Sequence, residues 1–334
     1  MAPNFLLIGG NRDSGQGPLM VFASMARNRG FDVSIISEPW HLALACQDGR
    51  SLQTHLDAEN FDYHSFDELT LDRIIPLVDK DTICLLMNCM WIIKSEVIDA
   101  LQPRILNYHA ARLPEERGAA AYSWKILSSS KQGGLTFHHV TPEVDVGAIV
   151  AAEAFTLPQD VNTCEDYYAH LHDHEVRLFQ RFLDAAVAGT LGESQVQDES
   201  AALYWPRLHT GTHGFLDWQW TASEVVAFCN AFDRPHPGAI TFLDGVPVRL
   251  RDCRTEDGGY DFHPFQAGIV VRKTDDRVYI AARAGLISSG EVEDRDGGDI
   301  SNSIRLGKRF HTPREHIERA LTSHSRLSPQ GLKF

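Results

Sequence analysis

TICLLMNCMWIIKSEVIDALQPRILNYHA, residues 82–110, is the stretch that decides the fold. Its opening, TICLLMNCMW, is a continuous apolar run of the kind carried by a strand covered on both faces. SEVIDAL (95–101) reads as a short helix and RILNYHA (104–110) as another strand. Strand, helix, strand is the grammar of a parallel sheet, because a parallel return needs a crossover and the helix supplies it. The same alternation runs upstream. NFLLIGG (4–10) is a short buried strand, GPLMVFASMARNRG (17–30) a helix closed by Gly30, and FDVSIISE (31–38) a second strand. The expected class is α/β with a Rossmann-like N-terminal half.

Downstream, AAYSWKILSSS (120–130) reads as a helix, GLTFHHV (134–140) and AIVAAEAFTL (148–157) as strands, and 164–189 as a long helix ending at Gly189. Hydrophobic periodicity is then lost. The expected organisation is a catalytic domain over 1–189, a linker over 190–205, a smaller β-rich, OB-like barrel domain over 206–322, and a polar tail over 323–334. Within the second domain, TASEVVAFCNAF (221–232) is a helix and turn signals such as Asp244-Gly245 separate short strands.

The chain has 334 residues with 31 Lys and Arg against 45 Asp and Glu, a net charge of −14. That weighs against nucleic acid as the main partner, since phosphate binding relies on Lys and Arg. No apolar run approaches the roughly 20 residues of a membrane span, and the N-terminus lacks a signal-peptide pattern, so no membrane association and a cytoplasmic address are expected. Six cysteines without a Cys-x-x-Cys pair suit reduced, buried thiols.

At the end of RILNYHA, Asn107 and His109 alternate along a strand and so point to one side. They sit at the C-terminal end of an expected parallel strand, where open α/β sheets bind ligands. An amide and an imidazole aimed at one spot suit a carbonyl whose oxygen becomes negative. The competing reading is that they cap the strand end. Asp145, in the turn TPEVDVG (141–147), could hold His109 charged or move a proton, or simply stabilise its own turn. His138 shares strand parity with Thr136 and is a weak candidate for a substrate contact. His170, His172 and His174 read as a solvated helix face rather than a metal site, and YWPRLHTGTHG (204–214) as a seal at the domain junction. Gly10, Gly15 and Gly17 do not have dinucleotide-fingerprint spacing.

NYHAARLPEERGAAAYSW (107–124) followed by GLTFHHVTPEVDVGAIV (134–150) resembles the formyltransferase family that uses 10-formyltetrahydrofolate. The matching elements are Asn107 and His109, the loop Leu113, Pro114, Arg117 and Gly118, then Gly134, Thr136, Asp145 and Gly147. Asp217-Trp218, Arg234-Pro235 and Pro237-Gly238-Ala239 resemble the C-terminal domain of methionyl-tRNA and amino-sugar formyltransferases. The resemblance implies Asn107, His109 and Asp145 as a catalytic trio, with 10-formyltetrahydrofolate as donor and tetrahydrofolate as product. It places the pterin against Met90, Trp91, Ile92 and Ile93 on one side and Pro142, Glu143 and Val144 on the other. Acceptor contacts are expected at Arg117, Gly118, Tyr122 and Trp124. The loop HAARLPEERG departs from the Ser-Leu-Leu-Pro and aromatic pattern of methionyl-tRNA formyltransferases. The expected acceptor is a nucleotide-linked amino sugar, then a hydroxyornithine-type amine, then methionyl-tRNA. A non-catalytic folate-binding protein and a formate-releasing hydrolase are the other readings, and a homodimer is the expected assembly.

Overall fold

A computed structural model of the chain describes residues 4–10, 17–46, 48–191, 193–328 and 331–333. Most of the N-terminal loop GGNRDSGQG therefore lies outside the described residues. The first strands are β1 (Phe5–Gly9), β2 (Val33–Ser37), β3 (Asp62–Ser65), β4 (Ile83–Met87) and β5 (Ile105–His109), followed by the two-residue β6 (Arg117–Gly118), β7 (Gln132–His139) and β8 (Ile149–Thr156). Seven of them form one sheet in the order β3-β2-β1-β4-β5-β7-β8. β1 to β5 pair in parallel, and β7 and β8 run antiparallel. The sheet is mixed for a local reason: residues 140–148 between β7 and β8 are too few for a parallel crossover, which takes a dozen or more.

Strand side chains alternate, and β1 shows what that does for the core. Phe5 and Leu7 join one apolar cluster with Phe22, Phe137, Phe179 and Phe182, beneath helices Pro18–Asn28 and Cys164–Ala188. Leu6 and Ile8 join the other cluster, with Leu86, Val97 and Ile98, beneath helix Ser95–Leu101. The apolar run at 82–91 is not strand throughout. β4 stops at Met87, Asn88 turns left-handed with φ 52°, and Cys89 to Ile93 leave the sheet. Strand order reverses between β1 and β4, so a crevice opens at their carboxyl ends.

β9 (Tyr204–Trp205) pairs in parallel with β6. The second domain is built on β10 (Ala239–Leu243), β11 (Val246–Glu256), β12 (Val270–Lys273), β13 (Val278–Ala282) and β14 (Gly285–Glu293), an antiparallel sheet in the order β10-β11-β14-β13-β12. Its two edges are spanned by one segment, with Phe310 bridging Leu243 and Arg309 bridging Ile269. Helix Ala222–Ala231 lies against this sheet and against helix Ala121–Leu127, where Ser123 Oγ donates to the Ala231 carbonyl at 2.8 Å. The two domains thus share one apolar cluster. The end of the chain is more than a polar tail, since β15 (Arg326–Ser328) and β16 (Gly331–Lys333) form a hairpin.

Candidate active site

The crevice is a cleft of about 880 Å³ with walls from both domains. β5 delivers Asn107 and His109 into it, while Tyr108 between them turns into the core and donates its hydroxyl to Glu175 at 2.7 Å. The antiparallel register sets His138 of β7 directly opposite Asn107. His138 Nδ1 lies 2.9 Å from the His139 carbonyl and donates to it, which leaves Nε2 to accept from Asn107 Nδ2 at 3.0 Å.

Asp145 reaches the same point from the turn after β7, in the left-handed region at φ 57°. Its Oδ1 is 3.5 Å from Asn107 Nδ2 and 3.4 Å from His138 Nε2; its Oδ2 accepts the Gly118 N–H at 2.8 Å and lies 3.7 Å from His109 Nδ1. Burial pushes this carboxyl up. The His109 and His138 rings beside it and the Gly118 N–H outweigh burial and hold it at about 2. Asp145 is therefore a buried carboxylate anion across the physiological range. His109 Nε2 donates to the Glu116 carbonyl at 2.7 Å, so both ring nitrogens face oxygen acceptors.

Glu116 does this from a loop that its own side chain fixes. Its carboxylate accepts the Arg112 N–H at 2.8 Å and pairs with buried Lys125, whose Nζ also donates to the Gln132 carbonyl at 2.7 Å. Burial lowers the Lys125 pKa against the pull of Glu116. Removing one member of a buried ion pair strands the other. Lys125→Met is therefore expected to cost about 3 kcal/mol in urea denaturation; an unchanged midpoint would contradict the pairing.

Met90, Trp91, Ile92 and Ile93 line the cleft, as do Pro142, Glu143 and Val144. Among the described residues, the backbone groups of Met90, Ile92 and Ile93 make no hydrogen bond to other backbone, so this segment leaves donors and acceptors for a ligand edge. Gly118 and Tyr122 also line the cleft. Arg117 and Trp124 do not. The Arg117 guanidinium is buried against Gln197 and Glu199. Trp124 donates to the Pro206 carbonyl at 2.9 Å and packs on Trp205 beside a separate pocket of about 180 Å³. The segment read as a seal does more than seal, since Arg207, Leu208, His209, Thr210 and Gly211 line the cleft. Opposite them, Pro235, His236 and Pro237 are held by Arg251, which donates to the His236 and Pro237 carbonyls at 3.0 and 2.8 Å. His174 is paired with Glu153 at 2.7 Å and stacked on Phe155. Among the described residues no group of three His, Cys, Asp or Glu is placed to hold a metal, and no helix is long and apolar enough to cross a membrane. Among the described residues no disulfide joins the six cysteines, and five of them are buried.

The family model described as formyl transferase matches residues 45–183, and that described as formyl transferase, C-terminal domain, matches residues 210–303. The chain belongs to the formyltransferase family. Among its relatives is the methionyl-tRNA formyltransferase of Coxiella burnetii, 28% identical over 206 residues, 60% of this chain and 62% of that one. The match thus spans less than two thirds of that relative's length. Among solved structures, the N-formyltransferase from Helicobacter canadensis, in complex with folinic acid and dTDP-3-aminofucose, has TM-score 0.63 at 17% identity, covering 86% of this chain and 99% of that one. WlaRD, a sugar 3N-formyl transferase solved with dTDP and 5-N-formyl-THF, has TM-score 0.62 at 18% identity, covering 87% and 98%. These two likenesses establish that the formyltransferase fold runs through both domains. Within that fold, sequence reading ranked His138 too low. Strand parity was the available signal for it, and the register opposite Asn107 raises it to a member of the cluster.

Proposed function

We propose that this chain transfers the formyl group of 10-formyltetrahydrofolate to the amine of a nucleotide-linked amino sugar. The observation that carries the reading is the convergence of Asn107, His109, His138 and the Asp145 carboxylate at one point of a two-domain cleft. The backbone of Met90, Ile92 and Ile93, which has no backbone partner among the described residues, suits the donor and acceptor edge of a pterin, with Pro142 to Val144 lining the same cleft. The acceptor amine attacks the formyl carbon, a new C–N bond forms, and the bond to the folate nitrogen breaks. The amine loses one proton and the departing nitrogen gains one. Asn107, and His109 through a proton on Nδ1, are the donors for the oxyanion that forms between these events. Asp145 sets a fixed negative charge 3.7 Å from His109 Nδ1, beside the reacting groups.

For the acceptor, charge supports a nucleotide sugar over a transfer RNA. Arg207 is the one Lys or Arg lining the cleft among the described residues, in a chain of net charge −14. One guanidinium suits a diphosphate, whereas a polyanion calls for many phosphate contacts. The family resemblance and the sugar-modifying structural neighbours support the same acceptor class. The test is turnover of 10-formyltetrahydrofolate against dTDP-, UDP- and GDP-linked amino sugars, hydroxyornithine and methionyl-tRNA. Turnover is expected with an amino sugar and is expected to fall about 10²-fold or more in Asn107→Ala, the loss typical for one oxyanion donor. Turnover with methionyl-tRNA alone would overturn the acceptor assignment.

A further inference from the structure

The segment read from sequence as a linker, 190–205, is stitched to both loops that make the active site. Gln195 exchanges two backbone hydrogen bonds with Ile149, at 2.7 and 2.8 Å. Leu203 N–H donates to the Pro114 carbonyl at 3.2 Å, Arg117 N–H to Leu203 at 3.1 Å, and Ala119 N–H to Trp205 at 2.9 Å. Between these anchors sits Gln197, a buried amide with every polar atom engaged. Its Oε1 accepts from Arg117 Nε and Nη2 at 3.0 and 2.8 Å. Its Nε2 donates to the carbonyls of Asp145 and Gly147 at 2.8 and 2.7 Å. A guanidinium can only donate and a carbonyl can only accept, so the chemistry permits just one orientation of this amide.

We propose that Gln197 is a positioning residue for Asp145, and that the strap around it belongs to the catalytic apparatus. The bonds close a ring. Asp145 Oδ2 is held by the N–H of Gly118, Gly118 follows Arg117, Arg117 is held by Gln197, and Gln197 holds the carbonyl of Asp145. A left-handed backbone is a minor conformation even for aspartate, which reaches it more readily than most residues, and surrounding contacts select it here. Two carbonyls pinned on either side of its turn supply that restraint. The ring also fixes the distance from Asp145 to the charged and polar groups facing it: Asn107 and His109 from β5, His138 from β7, and Arg117 from β6.

Two variants separate positioning from simple support. Gln197→Glu keeps an acceptor for Arg117 but sets a carboxylate oxygen against two carbonyls; Gln197→Met removes both interactions without adding charge. The first reading is the Asp145 side-chain carboxyl followed by carbon-13 NMR against pH, assigned with Asp145→Asn, which needs no substrate. In both folded variants its midpoint is expected to rise by about one unit or more, as the carboxylate drifts from the cations around it. A midpoint unchanged from wild type in either folded variant overturns the proposal, and Gln197→Glu provides the reading if Gln197→Met does not fold. The second reading rests on the formyl-transfer proposal: kcat is expected to fall about 10- to 100-fold with KM for the folate donor within about twofold. A loss confined to KM overturns the positioning role. Absence of turnover in the wild type on every amine would instead count against the function, and the carboxyl titration would still decide the role of Gln197.

Discussion

Asp145→Asn is expected to lower formyl transfer by a factor on the order of 10³ while leaving the fold intact. Asparagine tolerates the left-handed conformation that φ 57° demands, and its amide oxygen can still accept the Gly118 N–H. What it lacks is charge. The carboxylate lies 3.7 Å from His109 Nδ1 in a buried setting, where a fixed charge acts more strongly than it would in water. The substitution should also make stability depend less on pH. A carboxyl held at about 2 rather than its ordinary 3.8 contributes stability above the unfolded value, and that contribution is lost as pH falls through the folded one. The contribution is about 2 kcal/mol at neutral pH. Urea denaturation of wild type and Asp145→Asn at pH 7 and pH 3 reads it directly. The gap between them should narrow at the lower pH, and an equal gap at both would show that Asp145 is not held down. Wild-type turnover in Asp145→Asn would remove the carboxylate from the mechanism.

Gly147→Ala is expected to damage the site from the backbone. A Cβ at this position would stand 1.8 Å from the His139 carbonyl oxygen and 2.7 Å from its carbon, where no flexible side chain can yield. The ladder between β7 and β8 must open there, beside the His139–Ala148 backbone bond and at the carbonyl that Gln197 holds. The expected cost is about 3 kcal/mol of stability, within the range for forced backbone strain. Formyl transfer should fall more than about 10²-fold, because displacement of catalytic groups by an ångström has that effect. Equilibrium unfolding and turnover measured on the same preparation check both parts. An alanine variant with the wild-type midpoint would mean that the turn has room the structure does not show.

Legibility of the site in the sequence followed the kind of interaction involved. Asn107 and His109 could be read because strand alternation fixes their relative direction whatever surrounds them. The segment from Met90 to Ile93 could be read as apolar, but not its departure from the sheet at Asn88, because hydrophobic runs do not record where a ladder stops. The direction of β7 and β8 was likewise absent from their apolar pattern and present only in the shortness of the connection. Arg117 looked like a ligand contact because it is a charged residue inside a motif. Its partner Gln197 stands 80 positions further on, and nothing local announces a bond of that span. Gln197 and Glu116 act largely through carbonyl groups, which every residue has, so neither carried a signal. The strap had no periodicity because it is held by backbone bonds to two loops rather than by a buried face.

The strap also changes where this protein can be taken apart. By sequence pattern the natural cut falls after Gly189, where the long helix ends. A catalytic half severed there would lose β9, the partner of β6, along with Gln197, the side chain that ties Arg117 to the Asp145 turn. A hybrid that exchanges C-terminal halves between such enzymes must therefore join them beyond Trp205, and the incoming half brings Arg207 to Gly211, and with them part of the cleft wall. Modularity in this fold ends one strand later than its helices advertise.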